Sequence, residues 1–383
     1  MANARAVPPA AASGDGRGPR WLAAVALTGL AACASPAAAT GDLRTVVVTN
    51  RSGGPLTLWT AVRDGWDGPT PLGDAATATL TLPPGRYALQ LGDGEHRVPL
   101  PLPPRGLGFA PPATTAVAVD PWPADEAGWR WIPGGPGLRG DEFGVGQEDE
   151  RPLATPATDG FWLATHETTN AQYAAFLSAI GKERVDAGWL DLGGPQCRVR
   201  WDAVANTFTT DAPDLPVVTV SWHGAVAYCR WLTATTGRAH RLPTETEWEK
   251  AARGPGSRVY AYGDVCTTAA ANQESGRLRA VGSFAPNGFG LTDMTGNAFE
   301  WTADHFPRRP DGPGTAAADA DGAAFRALRG GSFVLDGIFV RNAMRMRLRA
   351  DVRADDVGFR EARAAPPPAT LAAPTTHAEP RRP

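Results

Sequence analysis

After Leu43 the chain alternates over short stretches between polar residues and apolar or β-branched ones. Turn-forming residues such as Pro83-Pro84-Gly85 separate these stretches. Alternation with a period of two is typical of a half-buried strand, and several short strands divided by turns favour two packed sheets. The sequence therefore predicts a small antiparallel β-sandwich over residues 43–123, which we interpret as a spacer. The clearest strand segments are residues 45–49, 56–59, 78–82 and 87–91.

From Trp129 onward short strands and long loops dominate, interrupted by three helical segments. In the first of these, Tyr173, Phe176 and Leu177 recur at helical spacing. Each segment follows a serine or threonine that can cap a helix, and two of them stop at a glycine. This pattern predicts an α+β domain. The predicted helices are residues 170–179 after Thr169, 223–235 after Ser221 and 245–253 after Thr244, the last with a Thr244–Glu247 capping box.

The two ends of the chain carry different signals. Residues 21–32 form an apolar run that follows two arginines and is too short to span a bilayer, as in a signal peptide. The run ends in Leu30-Ala31-Ala32-Cys33, which looks like a bacterial lipoprotein cleavage box and implies lipidation of Cys33. An ordinary secretory peptide with an incidental Cys33 is the alternative. Residues 33–42 then form a tether, and the Pro/Ala-rich residues 364–383 are expected to be disordered.

Ala34, next to the lipidation site, is not the aspartate that retains lipoproteins at the inner membrane. This predicts a protein of the bacterial cell envelope, lipid-anchored to the outer membrane. The net charge of -3 and the lack of a basic run exclude an electrostatic case for nucleic acid. After Cys33 only Cys197, Cys229 and Cys266 remain, enough for one disulfide; a Cys197–Cys266 bridge and three free thiols both stay open.

Several specific segments occur in a fixed order between Trp129 and Arg363. Together they resemble the formylglycine-generating enzyme family, also called sulfatase-modifying factors. The resemblance assigns residues 126–363 to such a domain and implies its loop-rich fold, a duplicated C-type-lectin-like core. The segments are Arg241-Leu242-Pro243-Thr244-Glu245-Thr246-Glu247-Trp248-Glu249, Gly296-Asn297-Ala298-Phe299-Glu300-Trp301, Arg329-Gly330-Gly331-Ser332-Phe333 and Gly358-Phe359-Arg360.

One departure from the family bears directly on catalysis. In catalytic members two cysteines follow the Gly-Gly-Ser turn and bind copper; here their places fall at Leu335 and Val340. Soft Cu(I) needs soft thiolate ligands, which neither side chain supplies, so copper and formylglycine formation are not expected. In some relatives Cys229 forms a disulfide with a residue whose place is Glu361 here, so that bridge is absent. We interpret the chain as a non-catalytic pseudoenzyme.

Two further sites follow from the resemblance. It implies a calcium loop in which the Asp293 and Glu300 side chains and the Gly296 and Ala298 carbonyls are ligands, because calcium prefers hard oxygens. A metal-free turn is the alternative. It also implies a ligand pocket, in which an aromatic platform and guanidinium groups would bind a carboxylate or a sugar. The pocket candidates are Trp301, Ser332, Arg341, Arg345 and Arg360.

For Arg345 and Arg360 the opposing interpretation is structural, since arginines of this fold commonly bond backbone carbonyls. The expected partner is an envelope protein or a cell-surface polymer. The main alternative is an enzyme of another kind on the same scaffold, a periplasmic oxidase of the type that acts on siderophore precursors.

Overall fold

The alternating segments near the N-terminus form seven strands in two sheets in the computed structural model. The structure describes residues 42–62, 65–94, 96–106, 108–124, 126–186, 188–306 and 325–365. Cys33 and the proposed signal peptide lie outside these residues, as do all but Asp42 of the tether and residues 366–383 of the tail. The strands are β1 (Arg44–Asn50), β2 (Leu56–Val62), β3 (Gly65–Gly73), β4 (Thr77–Leu82), β5 (Gly85–Leu91), β6 (Arg97–Leu102) and β7 (Thr114–Val119).

The two sheets have strand orders β4-β1-β7 and β3-β2-β5-β6. They share one apolar core, in which Val46 and Val117 of the first sheet pack with Leu89 and Leu100 of the second. The prediction that this sandwich is purely antiparallel is wrong, because β1 and β7 pair in parallel. A parallel pair needs a long crossover, and the five intervening strands provide it.

The second region combines three helices with short strands, which confirms the predicted α+β class. The elements are β8 (Trp129–Ile132), β9 (Gly135–Pro136), β10 (Ala157–Thr158), β11 (Phe161–Ala164), α1 (Asn170–Ile180), β12 (Val199–Asp202), β13 (Thr207–Thr210), α2 (Trp222–Thr236), β14 (His240–Arg241), α3 (Glu245–Arg253), β15 (Phe299–His305), β16 (Phe325–Arg329), β17 (Met346–Arg349), β18 (Val357–Gly358) and β19 (Ala362–Ala364). One sheet has the order β14-β19-β11-β8 and another the order β17-β16-β15-β18.

The helix ends lie where the capping residues predict them. Thr169 accepts a hydrogen bond from the Gln172 backbone N–H, and the Gln172 side chain accepts one from the Thr169 backbone N–H in return. Ser221 caps α2, and Gly237 ends it in the left-handed conformation at φ 71°. The predicted capping box of α3 is present. Such side chains satisfy backbone N–H groups that have no partner within the helix.

Charged side chains join the sandwich to the second region. Arg86 of β5 donates to Asp264 at 2.9 Å and to Glu142 at 2.5 Å. Arg258 donates in the opposite direction, to the Val62 carbonyl oxygen at 2.6 Å. These bonds hold the sandwich against the loop of residues 258–264, so the sandwich contacts the second region directly.

All three cysteines within the described residues are free thiols, with Cys197 and Cys229 buried and Cys266 exposed. The structure therefore contains no Cys197–Cys266 bridge. Within the same residues no helix combines the length and apolar composition that crossing a membrane requires.

Candidate functional site

The Gly-Gly-Ser segment forms a tight turn between β16 and a 3₁₀ helix (Gly337–Val340). Gly330 and Gly331 have φ values of 93° and 74°, in the region that favours glycine. A Cβ atom on Gly331 would lie 2.5 Å from Val340 Cγ1, closer than any real contact. Val340 therefore packs directly on the glycine backbone, and the turn has no room for a larger residue.

The two places where the resemblance puts cysteines are apolar. Val340 is fully buried, and Leu335 packs against the main core of the region. Other apolar side chains of the same segment, residues 334–340, point outward instead. Val334 is 53% exposed, Ile338 39% and Phe339 36%. The turn thus presents an apolar surface to solvent.

Two of the predicted pocket arginines are paired with carboxylates in a fork geometry. Arg341 donates to both carboxylate oxygens of Glu150 at 2.8 Å. Arg345 donates to both oxygens of Glu245 at 2.5 and 2.7 Å. Such bidentate pairs are strong and directional. Both guanidinium groups are thus already neutralised and hold loops in place.

Arg360 and Glu300 form the most deeply buried ion pair at the site. Both side chains have 0% exposure, and two hydrogen bonds of 2.7 Å join them. The Trp248 indole N–H also donates to Glu300, at 2.7 Å. Burial lowers the pKa of Arg360, but Glu300 outweighs this and raises it above its ordinary value. Glu300 therefore acts as the counter-ion of Arg360.

This pairing bears on the calcium prediction. Asp293 Oδ2 accepts a hydrogen bond from the Gly282 N–H at 2.6 Å, and the Ala298 N–H donates to Glu167 at 3.0 Å. Burial, with the nearby Asp293 and Glu300 carboxylates, raises the pKa of Glu167 well above its usual range. Because both oxygens of Glu300 face a guanidinium, the predicted donor set does not fit a calcium ion in this arrangement. Within the described residues no three His, Cys, Asp or Glu side chains are grouped as metal ligands.

The other two pocket candidates are also buried and occupied. The Trp301 indole N–H donates to the Val220 carbonyl at 2.9 Å, and Ser332 Oγ donates to Asp356 at 2.8 Å. Burial raises the pKa of Asp356. Trp301 and Ser332 both have 0% exposure. All five predicted residues are thus engaged in bonds within the protein and do not form an open pocket.

Sequence reasoning missed a thiol next to this turn. A Cβ atom on Gly337 would lie 2.2 Å from Cys266 Sγ, so the thiol packs on the glycine between Leu335 and Val340. Tyr260 and Tyr262 stack beside it with ring centres 5.5 Å apart. No spacing signal links Cys266 to Gly337, because 70 residues separate them in the chain and only the folded loop brings them together.

The chain matches one protein family, described as the sulfatase-modifying factor enzyme 1-like domain, over residues 117–365. It is 32% identical to the formylglycine-generating enzyme of Streptomyces coelicolor over 64% of this chain and 93% of that protein. It is 30% identical to the inactive C-alpha-formylglycine-generating enzyme 2 of Mus musculus, over 60% of this chain and 83% of that one. Among solved structures, PvdO from Pseudomonas aeruginosa is 27% identical, with a TM-score of 0.49, over 62% of this chain and 94% of that chain.

Proposed function

Because the chain belongs to the sulfatase-modifying factor enzyme 1-like family, we propose that it is a binding or accessory member that does not generate formylglycine. The observation that supports this most directly is the chemistry of the turn. Leu335 and Val340, which stand where the resemblance puts the copper ligands, are a partly buried and a fully buried aliphatic side chain. A pair of thiolates holds Cu(I) in the geometry it prefers, whereas two aliphatic side chains supply no lone pair.

The pairing of the candidate arginines with carboxylates agrees with this proposal. Every candidate arginine is paired with a carboxylate, so none presents a free positive charge to a reacting group. Family members without this activity exist, since one relative is named as inactive. The outward-facing Val334, Ile338 and Phe339 suit contact with an apolar patch on a partner, because exposed apolar groups gain most from being covered. We propose an envelope protein as that partner, with a cell-surface polymer as the alternative.

A reconstruction experiment tests the catalytic part. The wild-type chain, Leu335→Cys/Val340→Cys and the same double variant with Cys266→Ser are incubated with Cu(I), oxygen and a cysteine-bearing peptide. We expect the wild type to produce no aldehyde and to bind no copper at the turn, and the double and triple variants both to gain tight Cu(I) binding. The Cys266→Ser form shows that any gain comes from the introduced pair. Aldehyde formation by the wild type would refute the proposal.

The same samples address the alternative oxidase function. An oxidase on this scaffold would retain copper or iron, or consume oxygen with a phenolic substrate. We expect neither. Metal analysis of the purified chain and oxygen-electrode traces with phenolic substrates are the measurements, and oxygen uptake above that of a heat-denatured sample would favour the oxidase.

The binding part is tested by cross-linking in cells. A photo-reactive amino acid replaces Val334 at the exposed loop or, as a matched control, Val204, which is 98% exposed on the β12–β13 turn. We expect a cross-linked species of defined mass from the first position and none from the second. Equal labelling at both positions would show that the loop is not a specific contact surface.

We further propose that Cys33 carries a lipid and anchors the chain in the envelope. The small residues before this cysteine support the proposal. Several acyl chains give stable anchoring where one gives only reversible binding. Cys33→Ala is expected to move the protein from the membrane fraction to the soluble fraction. Metabolic labelling with a fatty acid should label the wild type and not the variant, and labelled Cys33→Ala protein would contradict the assignment.

A further inference from the structure

A surface cavity of about 600 Å³, largely open to solvent, lies at the edge of the sheet with strand order β14-β19-β11-β8. This volume falls within the usual range for small-molecule sites. None of its lining residues belongs to the Gly-Gly-Ser turn, so the cavity is separate from the surface discussed above. The lining side chains are Glu126, Trp129, Thr236, Arg238, His240 and Arg363.

The floor of the cavity is a stack of flat side chains. The Arg363 guanidinium lies 3.9 Å from the centre of the Trp129 ring and 5.5 Å from that of Trp162. His240 meets the Trp129 ring edge-on at 5.3 Å. Strand pairing produces this order, because Arg363 is the register partner of both His240 and Trp162. Trp129 is only half-buried, so it offers ring surface to a ligand.

The polar groups around this floor are incompletely used. Three buried nitrogen atoms have no hydrogen-bond partner within the described residues. They are the two ring nitrogens of His240 and the Nε of Arg363. Buried polar atoms normally find partners, so each exception calls for an explanation. Burial, assisted by the positive charges of Arg363 and Arg238, lowers the pKa of His240 to about 4. At neutral pH the histidine is an uncharged ring.

Among the described residues that line the rim, the positive charges outnumber the negative ones by one. Arg238 and Arg363 both donate to the same Glu126 oxygen, Oε2, at 2.5 and 2.8 Å. With His240 neutral, two guanidinium groups face one carboxylate. The Arg238 side chain is 57% exposed, and in the described part of the chain only its Nη1 makes a side-chain bond. Its remaining N–H groups and the second Glu126 oxygen therefore face solvent at the rim.

We propose that this cavity binds an acidic sugar, that is, a pyranose ring that carries a carboxylate. The apolar face of the ring packs on Trp129, and the carboxylate takes the free donors of Arg238. The hydroxyl groups donate to the open oxygen of Glu126. A neutral sugar would leave the surplus positive charge unpaired, and a simple carboxylate would leave the exposed part of the Trp129 ring uncovered.

The test is a titration of the purified full chain with D-galacturonate, D-galactose and acetate, followed by calorimetry and ligand-observed NMR. Galactose tests the sugar ring without the charge, acetate tests the carboxylate without the ring, and galacturonate combines the two. We expect galacturonate to bind about tenfold more tightly than either of the others, the gain that a charge-assisted hydrogen bond provides. Trigalacturonate binding more tightly than the monomer would identify a polymer as the source of the ligand, and equal binding would identify a free sugar.

Two variants locate the binding. Arg238→Ala is expected to remove the preference for galacturonate over galactose, while Glu126 stays held by Arg363. The matched control is Arg198→Ala, a partly exposed arginine that pairs with Asp211 outside the cavity. Trp129→Ala is expected to weaken both sugars, and its thermal unfolding shows whether it has folded.

Three outcomes would overturn the proposal. These are galactose or acetate binding as tightly as galacturonate, loss of binding in Arg198→Ala equal to that in Arg238→Ala, and no binding of any sugar. The Leu335→Cys/Val340→Cys variant separates this proposal from the function of the turn. It should bind galacturonate like the wild type whatever its reaction with copper.

Discussion

The Glu300–Arg360 pair gives the most direct test of how the centre of the domain is held together. Glu300→Gln keeps the shape of the side chain and an oxygen for the Trp248 indole N–H, but removes the charge that balances Arg360. Arg360 also donates to three backbone carbonyls and cannot leave its position without breaking them. Removing one partner of such a buried pair costs about 3–5 kcal/mol.

The neighbouring Glu167 determines whether the loss in the free energy of unfolding lies at the lower or the upper end of this range. Part of the rise in its pKa comes from Glu300, so in the variant Glu167 ionises more readily and partly replaces the lost charge. We therefore expect Glu300→Gln to lower the free energy of unfolding by about 3 kcal/mol, the lower end of the range. For a domain with a total stability of about 5–15 kcal/mol this is a large share.

The assay is urea unfolding at neutral pH, followed by tryptophan fluorescence. Glu183→Gln, an exposed glutamate, serves as the matched control and should change stability by less than about 0.5 kcal/mol. The double variant Glu300→Leu/Arg360→Met should be more stable than Glu300→Gln, because it leaves no unpaired buried charge. Calcium and a chelator should give the wild type the same midpoint, since Arg360 already occupies both Glu300 oxygens.

Two results would refute this reasoning. If Glu300→Gln lowered the free energy of unfolding by less than about 1 kcal/mol, the ion pair would not stabilise the fold to the extent that its burial indicates. If a chelator lowered the wild-type midpoint, Glu300 would be a calcium ligand, as the resemblance implies, and Arg360 would have another role.

Three further changes probe other parts of the chain. Burial raises the pKa of Glu361 above its ordinary value, so the folded chain keeps a proton that the unfolded chain has released, and stability falls as pH rises through that window. Glu361→Gln should flatten this fall in urea midpoints measured from about pH 4 to about pH 8. Thr244→Ala removes the α3 cap and should cost about 1 kcal/mol in the same assay. Arg86→Ala removes the charged bonds to Asp264 and should cost about 1–3 kcal/mol, with faster hydrogen exchange in residues 258–264; unchanged exchange there would show that the junction does not depend on this arginine.

The helices were predictable because their signals are local. The predicted bounds of α3, residues 245–253, match the structure, and the other two predicted helices end within one residue of the observed ones. Caps and terminal glycines act within four residues along the chain, so the sequence contains the whole interaction. The parallel pairing of β1 with β7 was missed for the opposite reason. Alternation assigns residues to a face of a sheet but carries no information about strand direction.

The structural interpretation of Arg345 and Arg360 agrees with their bonds to backbone carbonyls, but the carboxylate partners of the arginines could not be predicted because they are distant in sequence. Arg341 pairs with Glu150 across 191 positions, and Arg345 with Glu245 across 100. A sequence shows that an arginine is present near a motif, but the carboxylate that neutralises it is known only once the loops are placed. The same holds for the cavity, because Arg238 and Glu126 meet although 112 positions separate them.

The calcium prediction is subject to the same limit. The negative charge of a buried carboxylate needs a positive partner, because an unpaired charge in the interior is too costly. Two cations satisfy that requirement, a calcium ion held by Asp293 and the loop carbonyls or the guanidinium of Arg360. Glu300 and Arg360 lie in separate segments of the sequence, and the resemblance implies a metal ligand for the first and a pocket residue for the second, with a metal-free turn and a structural arginine as the alternatives. At 2.7 Å each side chain supplies the opposite charge that the other needs, a pairing that neither segment reveals by itself.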